Sequence, residues 1–287
     1  MTLSRRDFFK AAGLAIGGAL IAAEPALAKN DPNEYAAMLY DATICVGCNA
    51  CTNACRQWNN TTPEPDDRGL YDAPKELSSD TWTIIQLYQG ETEHSFVKRQ
   101  CMHCVDPACV SGCPVHALQK TDAGPVTYDP ERCIGCRYCM YTCPFHVPRF
   151  DWETAQLPVI AKCNLCADRL KDGQQTACAE RCPTSALIFG KRGDLIAEAE
   201  KRISENPARY VNHVYGKDDA GGTSVMYLSG VSFDKLGFED LGTKPIPEIS
   251  EGTANIILPG VLVGAPLLLG MIRITAKRGG WEDTWPL

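Results

Sequence analysis

Sixteen cysteines dominate the chemistry of this 287-residue chain, and all of them lie between Cys45 and Cys182. They form four groups of four with short, similar spacings, and no cysteine is left over. The groups are Cys45-x2-Cys48-x2-Cys51-x3-Cys55, Cys101-x2-Cys104-x4-Cys109-x3-Cys113, Cys133-x2-Cys136-x2-Cys139-x3-Cys143 and Cys163-x2-Cys166-x11-Cys178-x3-Cys182. Closely spaced thiolates of this kind bind soft metal ions or iron–sulfur clusters.

Three interpretations of these cysteines compete. Disulfides fit poorly, because cysteines two residues apart cannot all find partners with good geometry. Zinc fits poorly as well, since structural zinc sites use two separated ligand pairs and three of these thiols often lie within seven residues. The spacing C-x2-C-x2-C-x3-C followed by proline is typical of bacterial ferredoxins that bind [4Fe–4S] clusters. We therefore predict four [4Fe–4S] clusters.

In two-cluster ferredoxins the fourth cysteine of each run binds the neighbouring cluster, so clusters come in pairs. We expect that cysteine to start a helix, with the following proline in its first turn. The two middle groups then form one unit, and the two outer groups form a second unit that encloses it. The expected ligand sets are set A (Cys101, Cys104, Cys109, Cys143), set B (Cys113, Cys133, Cys136, Cys139), set C (Cys45, Cys48, Cys51, Cys182) and set D (Cys55, Cys163, Cys166, Cys178).

The segments between the cysteine groups predict the elements that position them. β-rich composition predicts strands at 81–88, 126–128 and 186–190, with a turn at 121–124 and a further strand at 224–228. Apolar residues at helical spacing predict a surface helix over 194–203. Residues 59–74 are polar and contain proline, which indicates a loop insertion, and 212–247 are expected to form an irregular docking tail.

The N-terminus carries an export signal. Arg5 and Arg6 lie in an S-R-R-x-F-x-K pattern, an apolar run follows at 11–23, and Ala26-Leu27-Ala28 suits a signal peptidase. This order resembles a twin-arginine signal, which a receptor reads as an address. We predict a signal peptide at 1–28 and export to the periplasmic side of the inner membrane in a folded, cluster-loaded form.

The C-terminus carries a candidate membrane anchor. Residues 256–272 contain no charge, which is near the short limit for crossing a bilayer. Arg273, Lys277 and Arg278 follow, so the positive-inside rule places the C-terminus in the cytoplasm. A buried core helix is the alternative for a run of this length. We predict a single transmembrane helix at 254–275 and a cytoplasmic end at 276–287.

Charge and missing motifs exclude several functions. The formal net charge is −7, which argues against nucleic-acid binding because that needs a basic surface. No Gly-rich dinucleotide motif and no P-loop is present. None of the five histidines is assigned as a ligand. They are scattered along the chain, at His94, His103, His116, His146 and His213. The chain is therefore predicted to carry electrons without being an enzyme itself.

A family resemblance is carried by the first cysteine run and by residues 38–41, 98–107, 133–140 and 143–145. With these features the chain resembles the iron–sulfur electron-transfer subunits of membrane-bound nickel–iron hydrogenases. The resemblance implies a catalytic hydrogenase subunit, a small iron–sulfur subunit and an integral membrane subunit that meets quinone as partners. The beta subunits of formate dehydrogenases are closely similar, and the motifs at 213–216 and 221–223 fit either family. That alternative implies a molybdopterin partner, whereas a signal peptide on this chain favours the hydrogenase interpretation.

The predicted architecture is α+β, with two bacterial-type 2[4Fe–4S] ferredoxin-like units, one nested in the other, plus insertions, a C-terminal tail and one transmembrane helix. The four-cluster region is expected to span 29–190. The surface helix and docking tail are expected to occupy 191–253 and to lead into the anchor.

Overall fold

A computed structural model of the chain describes residues 30–61, 76–152 and 160–248, together with position 251 and parts of 260–275. The predicted signal peptide at 1–28 lies outside these residues. So do most of the loop predicted at 59–74 and the predicted cytoplasmic end at 276–287. All sixteen cysteines lie within the described part of the chain.

The described residues form short strands and helices joined by the cysteine-bearing loops. The strands are β1 (Ala36–Asp41), β2 (Ile84–Gln89), β3 (His94–Arg99), β4 (Leu118–Lys120), β5 (Val126–Tyr128), β6 (Arg149–Phe150), β7 (Ile160–Ala161), β8 (Leu187–Lys191) and β9 (Val225–Leu228). The α-helices are α1 (Ala50–Asn59), α2 (Ala108–Ser111), α3 (Tyr138–Thr142), α4 (Ala167–Lys171), α5 (Ala177–Glu180) and α6 (Arg192–Glu205). Three of these six helices, α2, α3 and α5, are about one turn long and carry a cysteine, and the longer α1 carries two.

A three-stranded sheet with β1 at its centre supports one end of the cysteine-rich region. β1 pairs antiparallel with β8 and parallel with β9, so that Met38 lies opposite Phe189 on one side and Val225 on the other. Two of its strands are buried almost completely, as expected for a sheet covered on both faces. The sheet joins parts of the chain that are almost 190 residues apart.

Side chains of β1 alternate between the two covering layers. Ala37 and Leu39 pack against Leu195 and Ala199 of helix α6. Met38 and Tyr40 point to the other face, in a core cluster that also contains the side chains of Cys51 and Cys178. Because successive strand residues point to opposite faces, one short strand anchors the helix and also forms a wall of the cysteine sites.

Antiparallel hairpins carry the remaining cysteine loops. β2 pairs with β3 directly before Cys101, β4 pairs with β5 between the second and third cysteine groups, and β6 pairs with β7 before Cys163. Helix α1 contacts α5, and α2 contacts α3. Each hairpin therefore leads into a cysteine group along the chain, and β4 also contacts helix α2.

Most elements predicted from the sequence are confirmed with shifted ends. The strand predicted at 81–88 is β2, which begins at Ile84, and the helix predicted at 194–203 is α6 with added residues at both ends. The predicted strands at 126–128, 186–190 and 224–228 are β5, β8 and β9, and 122–124 form a turn.

The segment 212–247 contains the predicted strand in a mostly irregular stretch, but it is packed into the core, which we did not predict for a docking tail. Its strand β9 is a full member of the three-stranded sheet, and Val231, Phe233 and Leu236 beyond it are buried. The Phe233 and Phe238 rings lie 5.4 Å apart, centroid to centroid, and both contact the Tyr215 ring. The local sequence pattern did not predict this packing, because β9 pairs with β1, a strand that is distant in the chain.

The predicted membrane helix at 254–275 is described only in part. Among the residues that the structure describes, no helix is long and apolar enough to cross a bilayer. The described positions near this segment include exposed apolar side chains, among them Val261, Leu262, Leu268 and Leu269.

Candidate metal centres

The thiols of set B line one small cavity. Cys113 follows helix α2, whereas Cys133, Cys136 and Cys139 come from the loop that leads into α3. The apolar walls of this cavity include Leu118, Tyr128 and Ile160 from the neighbouring strands. The structure therefore joins three cysteines of one group with the fourth cysteine of the preceding group.

The thiols of set D line a second small cavity. Cys163, Cys166 and Cys178 come from the fourth cysteine group, and Cys55 comes from helix α1, more than a hundred residues earlier. Met38, Leu165 and Thr176 are among the other residues that line it. The contact between helices α1 and α5 brings these distant thiols together.

The thiols of sets A and C are also neighbours in space. Cys104 interacts electrostatically with Cys143, Cys109 and Cys101. In set C, Cys45 interacts with Cys182 and Cys48, and Cys51 interacts with Cys45. Thiols of sets B and D therefore share a cavity each, and thiols of sets A and C lie close enough to interact within their sets.

Burial makes several of the thiols, among them Cys55 and Cys143, resist ionisation unless a cation is present. Burial raises the pKa of Cys55 to about 12 and, aided by neighbouring thiols, the pKa of Cys139 to about 11. It also raises the pKa of Cys143 and Cys166 to about 11. Bound iron offsets the cost of ionising a buried thiol, since a thiol that coordinates a metal ion is deprotonated. Four buried thiols around a cavity therefore fit a bound cluster.

The geometry argues against the two alternatives to clusters. All sixteen cysteines are free, so the disulfide interpretation is wrong for this structure. Within the described ranges, no three His, Cys, Asp or Glu side chains are placed to hold one shared metal ion. Thiols spread around a cavity fit a [4Fe–4S] cluster, in which each thiolate binds a different iron, better than one tetrahedral zinc ion.

The backbone after the first cysteine of each group turns back toward the thiol. The residue two positions later has a positive φ in every group: Gly47 (+68°), His103 (+47°), Gly135 (+70°) and Leu165 (+55°). The amide nitrogens of Gly47, Gly135 and Leu165 donate to the preceding sulfur at 3.5, 3.4 and 3.4 Å. Such N–H···S hydrogen bonds stabilise negative charge on the sulfur and help to set cluster potential. In two groups the residue with positive φ is a glycine, which the sequence shows directly. Nothing in the sequence indicates a positive φ at Leu165.

The fourth cysteines do not start helices, which corrects our prediction. Cys113, Cys143 and Cys182 each follow a short helix, and the proline after each one opens a turn. The residue three positions beyond each cysteine donates its amide to the cysteine carbonyl: His116 (3.2 Å), His146 (3.1 Å) and Ser185 (3.4 Å). Proline suits the second position of such a turn as well as a helix start, so the sequence alone did not distinguish them.

Two buried polar side chains lie near the thiols: Gln100, which sequence reasoning missed, and His103, which was named there but not assigned as a ligand. Gln100 lines the cavity of set D, and neither its amide nitrogen nor its oxygen has a hydrogen-bond partner among the described residues. His103 accepts a hydrogen bond at Nδ1 from the amide of Val126 at 2.9 Å, while its Nε2 is buried without a partner in the described part of the chain. Burial lowers the pKa of His103, so it is neutral. Unpaired buried donors are expected where a cluster sulfur accepts hydrogen bonds.

Gly47→Ala is expected to weaken the loop of set C. A Cβ atom at this position would lie 2.4 Å from Phe96 Cε1, so the ring must move. We expect a loss of about 2–3 kcal/mol in the free energy of unfolding, because a left-handed L-residue costs about 1–2 kcal/mol and overpacking adds to it. Iron content and the thermal unfolding midpoint of the purified chain would measure the change.

Gly173→Ala provides the matched control for that prediction. Gly173 has nearly the same φ, +71°, but a Cβ there has no atom within 4 Å. It is expected to show only the backbone cost of about 1–2 kcal/mol, with full iron content. Equal losses in the two variants would show that contact with Phe96 does not matter.

Comparison with known proteins agrees with this geometry. Residues 44–118 and 92–192 each match a model of the 4Fe-4S dicluster domain. The chain is 36% identical to the hydrogenase-2 operon protein HybA of Escherichia coli O157:H7, with 96% of each chain covered. It is 40% identical to the nitrate-inducible formate dehydrogenase iron-sulfur subunit of Escherichia coli K12, with 67% of each covered. It is 38% identical to the formate dehydrogenase-O iron-sulfur subunit of the same strain, with 79% of this chain and 77% of that subunit covered.

Tandem dicluster domains with four sets of thiols define a ferredoxin-like protein that carries several clusters. The chain belongs to the family of iron–sulfur subunits that includes HybA and the formate dehydrogenase iron–sulfur subunits. It carries four [4Fe–4S] clusters.

Proposed function

We propose that this chain conducts electrons between a periplasmic catalytic subunit and a quinone-reactive membrane subunit. When bound, the clusters supply one-electron redox chemistry, and the protein supplies their ligands, spacing and burial. The observation that carries the proposal is that each thiol set interacts with the next, which orders the four sets as one line of neighbours. We assign the ligands as sets A to D, with no catalytic residue in the chain.

The order of the sets is argued from thiols that interact across set boundaries. Cys51 of set C interacts with Cys178 of set D, and Cys163 of set D interacts with Cys101 of set A. Cys109 of set A in turn interacts with Cys139 of set B. The line is therefore C, D, A, B, with each set adjacent to the next.

The same contacts support a nested pair of ferredoxin-like units. Sets A and B use cysteines from the middle of the chain, and helices α2 and α3 join them. Sets C and D use the first and last cysteine groups, joined by helices α1 and α5 and by the pairing of β1 with β8. The outer unit encloses the inner one in the sequence.

The two ends of the line reach the surface. Among the sixteen cysteines, Cys48 of set C and Cys136 of set B are the exposed ones. Large apolar side chains are also exposed near these ends: Val46 at set C, and Ile134, Tyr138, Tyr141 and Trp152 at set B. We assign these two ends as the places where the catalytic and membrane subunits exchange electrons with the chain.

The leading partners are the catalytic and small iron–sulfur subunits of a nickel–iron hydrogenase, together with an integral membrane subunit. The match to HybA over nearly the whole chain supports this choice, as does the export pattern at 1–28. The export pattern and the apolar segment at 254–275 support a location on the periplasmic side of the inner membrane with a single C-terminal anchor. The similarity to formate dehydrogenase iron–sulfur subunits favours a molybdoenzyme complex as the second candidate.

Isolation of the intact complex without oxygen tests the function. We expect about sixteen iron atoms per chain, four for each cluster, and nickel in a copurifying subunit. Molybdenum instead of nickel would replace the hydrogenase assignment with the formate dehydrogenase one. A colourless chain without iron, purified under the same conditions, would contradict electron transfer by this protein altogether.

A further inference from the structure

Lys98 is a buried cation in the interior of the cysteine-rich region. It lies on strand β3 with a side chain that is 0% exposed, and its Nζ donates a hydrogen bond to Thr83 Oγ1 on the neighbouring segment. Taking an ammonium group out of water costs several kcal/mol unless nearby groups compensate. A hydroxyl partner alone does not supply that compensation, so negative charge must lie close by.

The negative charge near Lys98 comes from cysteines. Burial by itself would lower the pKa of Lys98, but the sulfurs of Cys51, Cys178 and Cys55 raise it above its usual value, with a smaller contribution from Tyr227. In the loaded protein these sulfurs are ligands and carry part of the negative charge of the clusters. The influence that we infer for Lys98 on the clusters requires no change in its protonation.

The three sulfurs belong to two different ligand sets. Cys51 is in set C, whereas Cys55 and Cys178 are in set D, and the two sets are neighbours in the line. Cys51 and Cys55 lie one turn apart on helix α1, so one face of this helix presents a thiol to each set. Thr83, which accepts the hydrogen bond from Lys98, lines the cavity of set D together with Cys55 and Cys178, so the ammonium group lies beside this helix face.

Lys120 provides a contrast at set A. Its Nζ donates to the carbonyl oxygen of Cys104 at 2.7 Å, and it interacts with the sulfurs of Cys104 and Cys101, both in the same set. Burial lowers its pKa to about 8. Lys120 therefore interacts with the thiols of one ligand set, whereas Lys98 interacts with the thiols of two.

We propose that Lys98 is a positioning residue whose permanent charge is shared by two adjacent clusters, those of sets C and D, and raises both reduction potentials. This inference rests on the proposed ligand sets. Lys98 attracts the negative charge that reduction adds at either site, and this attraction is strong because the site is buried and poorly screened. Because one cation serves two sites, the two potentials are expected to move together when the charge is removed.

The test is a redox titration of the intact complex, followed by electron paramagnetic resonance. We expect Lys98→Met to lower the equilibrium constant for one-electron reduction at least about tenfold at two of the four clusters, a shift of about 59 mV each. Lys98→Arg keeps the charge and is expected to leave all four potentials within about half of that shift. Lys120→Met is the matched control and is expected to move the cluster of set A without moving the two that respond to Lys98→Met.

Several outcomes would overturn the inference. It fails if the wild-type complex shows four clusters and Lys98→Met leaves all potentials unchanged, or if Lys98→Arg shifts them as much as methionine does. If Lys98→Met does not retain its clusters, the iron content of the Lys98→Met and Lys98→Arg variants distinguishes a need for charge from a need for shape. Full iron and unchanged potentials in Lys98→Arg support a need for positive charge, whereas iron loss in both variants shows a need for shape and contradicts the proposal. Fewer than four clusters in the wild type would instead contradict the ligand sets.

Discussion

Replacing Cys113 by alanine is expected to abolish the same cluster as replacing Cys136, whereas replacing Cys109 abolishes a different one. Cys109 and Cys113 are four residues apart, at helix α2 and just after it. Cys113 nevertheless lines the cavity of set B with Cys136, while Cys109 interacts with Cys101 of set A. Each variant is expected to lose up to about four iron atoms per chain, because a cubane needs all its ligands.

Electron paramagnetic resonance of the reduced complexes distinguishes the two outcomes. Cys113→Ala and Cys136→Ala are expected to lack the same signal, that of set B. Cys109→Ala and Cys143→Ala are both expected to lack a different signal, that of set A. If Cys109→Ala and Cys113→Ala instead lack the same signal, each cysteine group binds its own cluster and the crossed ligand sets are wrong. Transfer to quinone is expected to stop in every variant, because a line of clusters has no side route.

Truncation before strand β9 is expected to prevent accumulation of the folded protein, whereas truncation after Glu248 is not. β9 buries Val225, Met226, Tyr227 and Leu228 almost completely and pairs with the central strand β1. Each buried side chain of this size contributes about 1.5–3 kcal/mol, and their sum is comparable with a total stability of about 5–15 kcal/mol. A chain that ends at residue 223 would also expose Met38 and Tyr40 beside the thiols of sets C and D.

The chain that ends at Glu248 keeps the whole described core and lacks the segment predicted as a membrane anchor. It is expected to retain its iron and to move from the membrane fraction to the soluble fraction. Iron content and fractionation of cell extracts check both truncations side by side. Membrane association that persists without residues 249–287 would place the attachment in a partner subunit, and full iron in the chain ending at residue 223 would show that β9 is dispensable.

Local patterns were sufficient to predict much of this structure. The helix at 194–203 and the strands at 126–128 and 224–228 were predictable because apolar periodicity and β-branched residues directly reflect a buried face. The turns after Cys113 and Cys143 were not, because proline is compatible with both a turn and a helix start. The positive φ of Leu165 was not predictable either, since a leucine in that conformation is imposed by the loop around it.

By itself, the sequence determined that this protein binds clusters and how many it binds. Three thiols within one short loop are held by local backbone turns, so their spacing alone indicates the chemistry. Only the tertiary structure decided which groups lie between the clusters and which clusters reach the surface. Lys98 and Gln100 look like ordinary residues next to a strand end, yet both are buried beside thiols because β3 packs against segments far away in the chain. Their surroundings come from long-range packing, and no local pattern encodes it.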